Sequence, residues 1–89
     1  MPVAGGSLAD GAALVELQLD IEPGCHVLAV RRDNRYLYRP RGHVRLQAGD
    51  EIIAAGPDEG RQHLAERCGW RLRHDEETGE SELLPAERV

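Results

Sequence analysis

The residues that could bind a metal ion are scattered along this 89-residue chain. They are two cysteines and four histidines: Cys25, His26, His43, His63, Cys68 and His74. His63 and Cys68 are five residues apart in a predicted helix, so they point to different sides of it. The chain has no Cys-x-x-Cys or His-x-x-x-His pair, the spacings that bring ligands to one ion. The sequence therefore predicts no metal site, and two cysteines in different elements do not suggest a disulfide framework.

A carboxylate on a predicted turn is the next residue with chemical potential. Asp50 follows Gly49, and an exposed acid there could act in catalysis. Catalysis needs a nucleophile, a base and a stabilising group that converge, and no motif in the chain arranges them. The structural interpretation is simpler: Gly49 adopts an unusual backbone angle and Asp50 caps the turn, with Gly24 and Gly56 as further turn residues. The sequence therefore predicts that the protein is not an enzyme.

Arginines are concentrated in one part of a chain that has a net charge of −5 and no lysine. Six of them lie between residues 31 and 45: Arg31, Arg32, Arg35, Arg39, Arg41 and Arg45. A guanidinium makes forked contacts with carboxylate or phosphate. One interpretation is a solvated strand face whose arginines pair with Asp and Glu, and the other is a pocket for a small anionic ligand. The negative net charge argues against a nucleic-acid partner.

Short apolar and alternating runs in residues 25–56 must position these side chains, and they predict an α+β fold with a small mixed or antiparallel sheet of three to four strands. Strands are expected at residues 25–32, 35–39 and 50–55, with a fourth candidate at 43–46. Asp33 and Asn34 suit a tight hairpin in which Asn34 has a positive φ. Pro40 has no amide donor, so the second strand ends there or lies at an edge.

Helical patterns flank this sheet. Residues 58–68 predict a C-terminal helix, because acids in the first turn and Arg67 in the last suit the helix dipole and Gly69 can end it. Residues 8–17 fit both a short helix and an alternating strand, and the residues alone do not decide between them. A turn is predicted at residues 21–24.

Composition divides the chain into three parts. Residues 1–7 are interpreted as a linker or a truncated first strand, residues 8–70 as the domain, and residues 71–89 as an acidic, flexible tail. The chain has no Phe and one Trp, and such a thin aliphatic core favours a homodimer. No signal peptide is visible and no apolar run approaches the ~18 residues that cross a bilayer, so we expect a cytoplasmic domain without direct membrane insertion.

An ordered set of motifs over residues 8–69 resembles the TrkA C-terminal domain family, also called the C-terminal lobe of regulators of potassium conductance. The motifs are Leu-x-Glu-Leu from Leu14, Gly24, Val-Leu-Ala-Val-Arg-Arg from Val27, Pro40, Leu-x-x-Gly-Asp-x-Ile-Ile from Leu46, and Gly56 before the last helix. The resemblance implies the helix for residues 8–17. The family pattern normally begins with a strand, which residues 1–6 match poorly. The chain contains no GxGxxG turn, so NAD or ATP binding is not inferred.

The resemblance implies a regulatory, ligand-sensing dimerisation domain of a potassium or other cation channel, transporter or antiporter, in cis or in trans. Some relatives bind cyclic di-AMP in the dimer cleft, which makes it the candidate regulatory ligand. The ligand-binding residues that this implies are His26, Val27, Arg31, Arg32, Asn34 and Pro40. Neighbours in a strand face opposite sides, so Arg31 and Arg32 cannot both point into one cleft.

Three alternatives stay open. His26 equally fits an exposed histidine at the end of a strand. The domain could be a purely structural dimerisation module that binds nothing. It could also be an accessory subunit that acts in trans on a cation/proton antiporter.

Overall fold

The computed structural model describes residues 1–21 and 24–85, so Glu22 and Pro23 of the predicted turn and the last four residues of the predicted tail lie outside the described residues. The described chain is α+β, with five strands in two antiparallel sheets, one α-helix and one 3-10 helix. In chain order the elements are the 3-10 helix Leu14–Leu17, β1 (His26–Arg32), β2 (Arg35–Tyr38), β3 (Glu51–Ala55), α1 (Asp58–Arg67), β4 (Trp70–His74) and β5 (Ser81–Pro85).

The larger sheet is antiparallel and has the strand order β2-β1-β3. β1 and β2 form the predicted hairpin, in which Arg32 pairs with Arg35 across Asp33 and Asn34. The residue with positive φ is Asp33, at 56°, and not Asn34 as predicted. Both residue types tolerate this conformation, so composition could not tell them apart.

One face of this sheet builds the core. Val30 pairs with Ile52, and the two side chains are 3% and 1% exposed. They pack in one cluster with Leu46, Leu64 and Cys68, which are buried. Withdrawal of apolar surface from water stabilises the fold by about 25 cal/mol per Å². The aliphatic core expected from a chain without Phe is confirmed.

The C-terminal helix is confirmed and ends one residue earlier than predicted. α1 carries Asp58 and Glu59 in its first turn and Arg67 in its last, charges that suit the helix dipole. Gly69 follows with a φ of 89°, the left-handed conformation that commonly ends helices. Among the described residues, no helix is long and apolar enough to cross a membrane.

The helix predicted for residues 8–17 is wrong over most of its length, because only Leu14–Leu17 is helical and it is a 3-10 turn. The preceding backbone bonds to a distant segment: the Gly11 N–H donates to the Leu46 carbonyl, and the Leu46 N–H donates to the Ala12 carbonyl, both at 2.9 Å. Gly11 also has a φ of 88°, which an α-helix cannot accommodate. Long-range hydrogen bonds thus replaced the local ones of a helix.

The single sheet of three to four strands is a second prediction that the structure corrects. Residues 43–46 form no strand, since Arg45 makes only an isolated β bridge, to Ala13. The last predicted strand ended at residue 55, yet β4 and β5 pair from Trp70 with Pro85 onward as a separate antiparallel sheet. Pairing places an apolar set on one face of this hairpin: Trp70, Leu72, Leu83 and Pro85. The segment is mostly acidic and polar, so the alternation of its few apolar residues did not indicate strands in the sequence.

The first residues of the chain lie along the outer edge of β3. The Ile52 N–H donates to the Met1 carbonyl at 2.7 Å, and the Val3 N–H donates to the Asp50 carbonyl at 2.8 Å. Val3 is 3% exposed. This edge of the sheet is therefore covered by the chain itself.

Candidate functional site

A shallow groove opens where β1 begins. His26 and Val27 of β1 line it together with Pro40, which follows β2, and with Leu14 and Leu19 around the 3-10 helix; its volume is ≈ 240 Å³. A second depression of ≈ 260 Å³ adjoins it, shares His26 and extends to Gly56. Three of the six residues implied as ligand contacts, His26, Val27 and Pro40, thus lie in one groove.

Backbone contacts hold the walls of the groove in place. The Cys25 N–H donates to the Leu19 carbonyl at 2.7 Å, and the Val15 N–H donates to the Gly42 carbonyl at 2.9 Å. A side chain at Gly56 would begin 2.8 Å from the Cβ of Cys25, so only glycine allows this approach. The groove is therefore formed by the backbone before any ligand arrives.

The other three implied ligand residues lie at the far end of β1. Arg31 and Arg32 end the strand and Asn34 lies in the hairpin turn. A strand rises about 3.3 Å per residue, which separates His26 from Arg31 by about 17 Å. One chain therefore does not bring these cations to the groove.

Arg32 is held by Asp50. Its Nε donates to Asp50 Oδ1 at 2.8 Å and its Nη2 to Asp50 Oδ2 at 2.7 Å. Nη2 also donates to the Arg45 carbonyl at 3.0 Å, and the Gln47 N–H donates to Asp50 Oδ2 at 2.8 Å. Asp50 is 1% exposed. The pair ties the end of β1 to the turn before β3.

The electrostatics of this pair keep both groups charged. Burial disfavours the Asp50 carboxylate, but hydrogen bonds from Arg32 and from the Gln47 N–H outweigh it and lower the pKa of Asp50. The hydrogen bond to Asp50 raises the pKa of Arg32. Gly49, with a φ of 90°, lets the turn present Asp50 to Arg32. The guanidinium of Arg32 is thus already occupied by an internal carboxylate.

The remaining arginines of this region differ in their partners. Arg45 lies 3.5 Å from Glu16. Four arginines form no ion pair with any residue in the part of the chain that the structure describes: Arg31, Arg35, Arg39 and Arg41. Within the described residues, pairing with the chain's own acids therefore accounts for Arg32 and Arg45 among these six arginines.

The cysteines belong to the core. Cys25 and Cys68 are free and buried, and burial raises the pKa of both, that of Cys68 to about 11. Within residues 1–21 and 24–85, no three His, Cys, Asp or Glu side chains are grouped as a metal ion would require. The thiols are thus poor nucleophiles in the folded protein.

Sequence reasoning missed two parts of this region. Leu14, Leu19 and Asp20 line the groove, but the segment that carries them gave no unambiguous periodicity. The Arg32 and Asp50 pair joins residues 18 apart. A signal for it existed, since Arg32 shares the core face of β1 with Val30 and needs an anion there.

Comparison with known families agrees with this architecture. The TrkA-C domain family matches residues 1–69, which extends the resemblance to the first seven residues and ends just before β4. The comparison with curated proteins gave no match. The match covers well over half of the chain, so this protein belongs to the TrkA-C domain family, non-catalytic regulatory domains of potassium and other cation transporters.

Proposed function

We propose that this TrkA-C domain is a dimeric sensor that binds a small anionic ligand, with cyclic di-AMP as the first candidate, and thereby biases a potassium or other cation transporter or channel at the cytoplasmic side of the membrane. The ligand would bind between two copies, and its binding would shift their relative orientation. The transporter could carry the domain in cis or bind it in trans.

The groove at the start of β1 carries this proposal. Ligand pockets usually enclose about 300–1,000 Å³, and the groove holds ≈ 240 Å³. A dinucleotide does not fit into it. Two grooves that face each other across a two-fold axis would double the volume, so the size argues for a site shared between two copies.

Charge supports the same arrangement. The groove is lined mainly by apolar side chains and by one acid, Asp20. A carboxylate at this position would repel the phosphate groups of a ligand. On β1, Arg31 is the arginine that forms no ion pair with a described residue, and it lies at the other end of the strand. A second copy that runs antiparallel would bring its Arg31 to the groove of the first, where a guanidinium could neutralise a phosphate.

The test is calorimetric titration of the purified chain with cyclic di-AMP, ATP, AMP, KCl and NaCl, with sedimentation velocity at each end point. We expect cyclic di-AMP to bind with one ligand per two chains and to strengthen the dimer. His26→Ala and Arg31→Ala should each weaken binding about tenfold, which corresponds to about 1.4 kcal/mol.

One matched variant serves as the control. His63→Ala removes an exposed histidine from α1 and should leave binding unchanged. Arg32→Ala is unsuitable as a binding test, because its loss uncouples Asp50 and disturbs the fold. If none of the nucleotides or cations binds or changes the sedimentation of a folded dimer, the sensing role is wrong and the structural dimerisation module is the better account.

A further inference from the structure

Among the described residues, no strand pairs with the outer edge of β2. The Arg39 N–H donates to the Leu28 carbonyl at 3.0 Å. Leu28 and Arg39 therefore form a hydrogen-bonded pair. Such pairs alternate with non-hydrogen-bonded pairs along an antiparallel ladder, so Tyr38 and Tyr36 belong to non-hydrogen-bonded pairs, and their backbone N–H and C=O groups point away from β1. The opposite edge of the sheet, on β3, is covered by residues 1–3. Within the part of the chain that the structure describes, the outward-facing N–H and C=O groups of β2 thus have no backbone partner and could bond to an approaching strand or loop.

This edge is basic and aromatic. The rings of Tyr36 and Tyr38 stack with centroids 5.7 Å apart, and the two residues are 47% and 70% exposed. Arg35, the first residue of β2, and Arg39, which follows its last residue, flank them, and both are exposed. Neither forms an ion pair with a residue that the structure describes. We call the segment 35–39 the basic edge.

A complementary surface lies at the other end of the chain. The turn between β4 and β5 exposes Glu76, Glu77 and Glu80, which form no ion pair within the described ranges. Asp75 instead accepts the Glu77 N–H at 2.9 Å and so shapes the turn. The segment 75–80 is called the acidic turn below.

The hairpin that carries the acidic turn contacts the rest of the fold through β4, which packs against α1. An isolated two-stranded hairpin is marginally stable in water. Trp70 anchors one end, because its Nε1 donates to the Pro2 carbonyl at 2.7 Å, but the acidic turn lies at the other end. The hairpin follows residues 1–69, the part that matches the family. The hairpin thus lies outside the part of the chain that matches the family.

We propose that the acidic turn of one copy docks on the basic edge of a second copy. The two surfaces have opposite charge and each occurs once in the described chain, and an exchange of both contacts across one two-fold axis would close a dimer. Charge complementarity selects a second copy as the occupant. The inference rests on the dimer of the proposed function and specifies a contact that the ligand groove does not contain.

Charge reversal tests the contact with two chains. Arg35→Glu/Arg39→Glu makes the basic edge acidic, and Glu76→Arg/Glu77→Arg makes the acidic turn basic. Sedimentation velocity should show that each variant alone dimerises about tenfold more weakly than the wild type or worse. Mixed in equal amounts, the two variants should form a heterodimer, because each reversed surface then meets an opposite charge. Salt should weaken the wild-type dimer, since the screening length falls from about 10 Å at 0.1 M to about 3 Å at 1 M.

A matched control adds negative charge elsewhere: Gln62→Glu/His63→Glu, on the exposed part of α1, should leave the dimer unchanged. Circular dichroism confirms that each variant is folded. If neither charge reversal weakens the dimer, the proposed contact is wrong, whereas the proposed ligand-sensing function is unaffected. If the dimer depends on these charges but binds none of the tested ligands, the proposed contact is supported and the proposed ligand-sensing function is wrong. Reversed chains that stay apart when mixed, or a wild-type chain that is monomeric at every concentration, also overturn the contact.

Discussion

The pair between Arg32 and Asp50 predicts a large and specific loss of stability. Arg32→Ala leaves a carboxylate that is 1% exposed without its cation. Breaking a fully buried pair costs about 3–5 kcal/mol. The Arg32 side chain is 44% exposed, so water screens the pair and can partly replace the guanidinium, which reduces the expected loss to about 2–3 kcal/mol. A domain of this size has about 4–13 kcal/mol of stability in total.

Urea unfolding followed by the fluorescence of the single tryptophan, Trp70, measures this loss. With a slope of about 1 kcal/mol per M, the midpoint should fall by about 2–3 M. Arg31→Ala is the matched control: it removes the neighbouring arginine, which has no ion-pair partner in the described chain, and should change stability by less than about 0.5 kcal/mol. The double variant Arg32→Ala/Asp50→Ala should be more stable than Arg32→Ala, because it no longer buries an unpaired charge.

The pH dependence gives an independent check with a fixed sign. The pKa of Asp50 is lowered in the folded protein. The unfolded chain therefore binds the proton more readily, and the stabilisation is present above the unfolded value of about 3.9 and lost as the pH falls through the folded value. The stability difference between wild type and Arg32→Ala should narrow between pH 7 and pH 3. A difference below about 0.5 kcal/mol at pH 7, or one that is the same at both pH values, would refute the assignment of this pair.

Two further predictions concern the core. Leu46 is 0% exposed, so Leu46→Ala should lower the free energy of unfolding by about 2–5 kcal/mol in the same urea assay. Leu8 is 75% exposed, so Leu8→Ala should change the free energy of unfolding by less than about 0.5 kcal/mol. Equal effects of the two substitutions would contradict the assigned core. Burial raises the pKa of Cys68 from 9.0 to about 11. At pH 8 its thiol should therefore react with a disulfide reagent only after urea unfolds the chain. The free energy of unfolding should also decline as the pH rises from about 9 towards 11, because the unfolded chain loses this proton more readily than the folded chain. Rapid labelling of Cys68 in the native protein would count against that burial.

Local chemistry predicted the elements whose signals lie within a few residues. The C-terminal helix follows from the charges at its two ends and from Gly69, and the β1–β2 hairpin follows from two apolar or alternating runs separated by Asp33 and Asn34. The groove residues His26 and Val27 could be placed at the entry of the first strand because the family motif fixes where that strand begins.

Elements that depend on distant partners could not be predicted in this way. Residues 8–17 have enough helical character to suggest a helix, but Gly11 and Ala12 exchange backbone hydrogen bonds with Leu46, 34 or more positions away. The β4–β5 hairpin has few apolar residues, and its alternation is visible only once Leu72 is paired with Leu83. In both cases the free energy comes from long-range contacts, which override local propensity.

Residue types and their spacing along the chain were enough to predict the aliphatic composition of the core, the order of β1, β2, β3 and α1, and membership of a regulatory domain family. Which arginines lack an ion-pair partner among the described residues depends instead on the folded arrangement of the chain. Arg31 and Arg32 are neighbours of the same type, but alternation along β1 turns Arg32 towards the core face, where Asp50 binds it, and leaves Arg31 without an ion-pair partner in the described chain. The fold therefore determines which arginine can bind a ligand or a second copy, because a guanidinium that already forms an ion pair with a carboxylate of its own chain is not available for another partner.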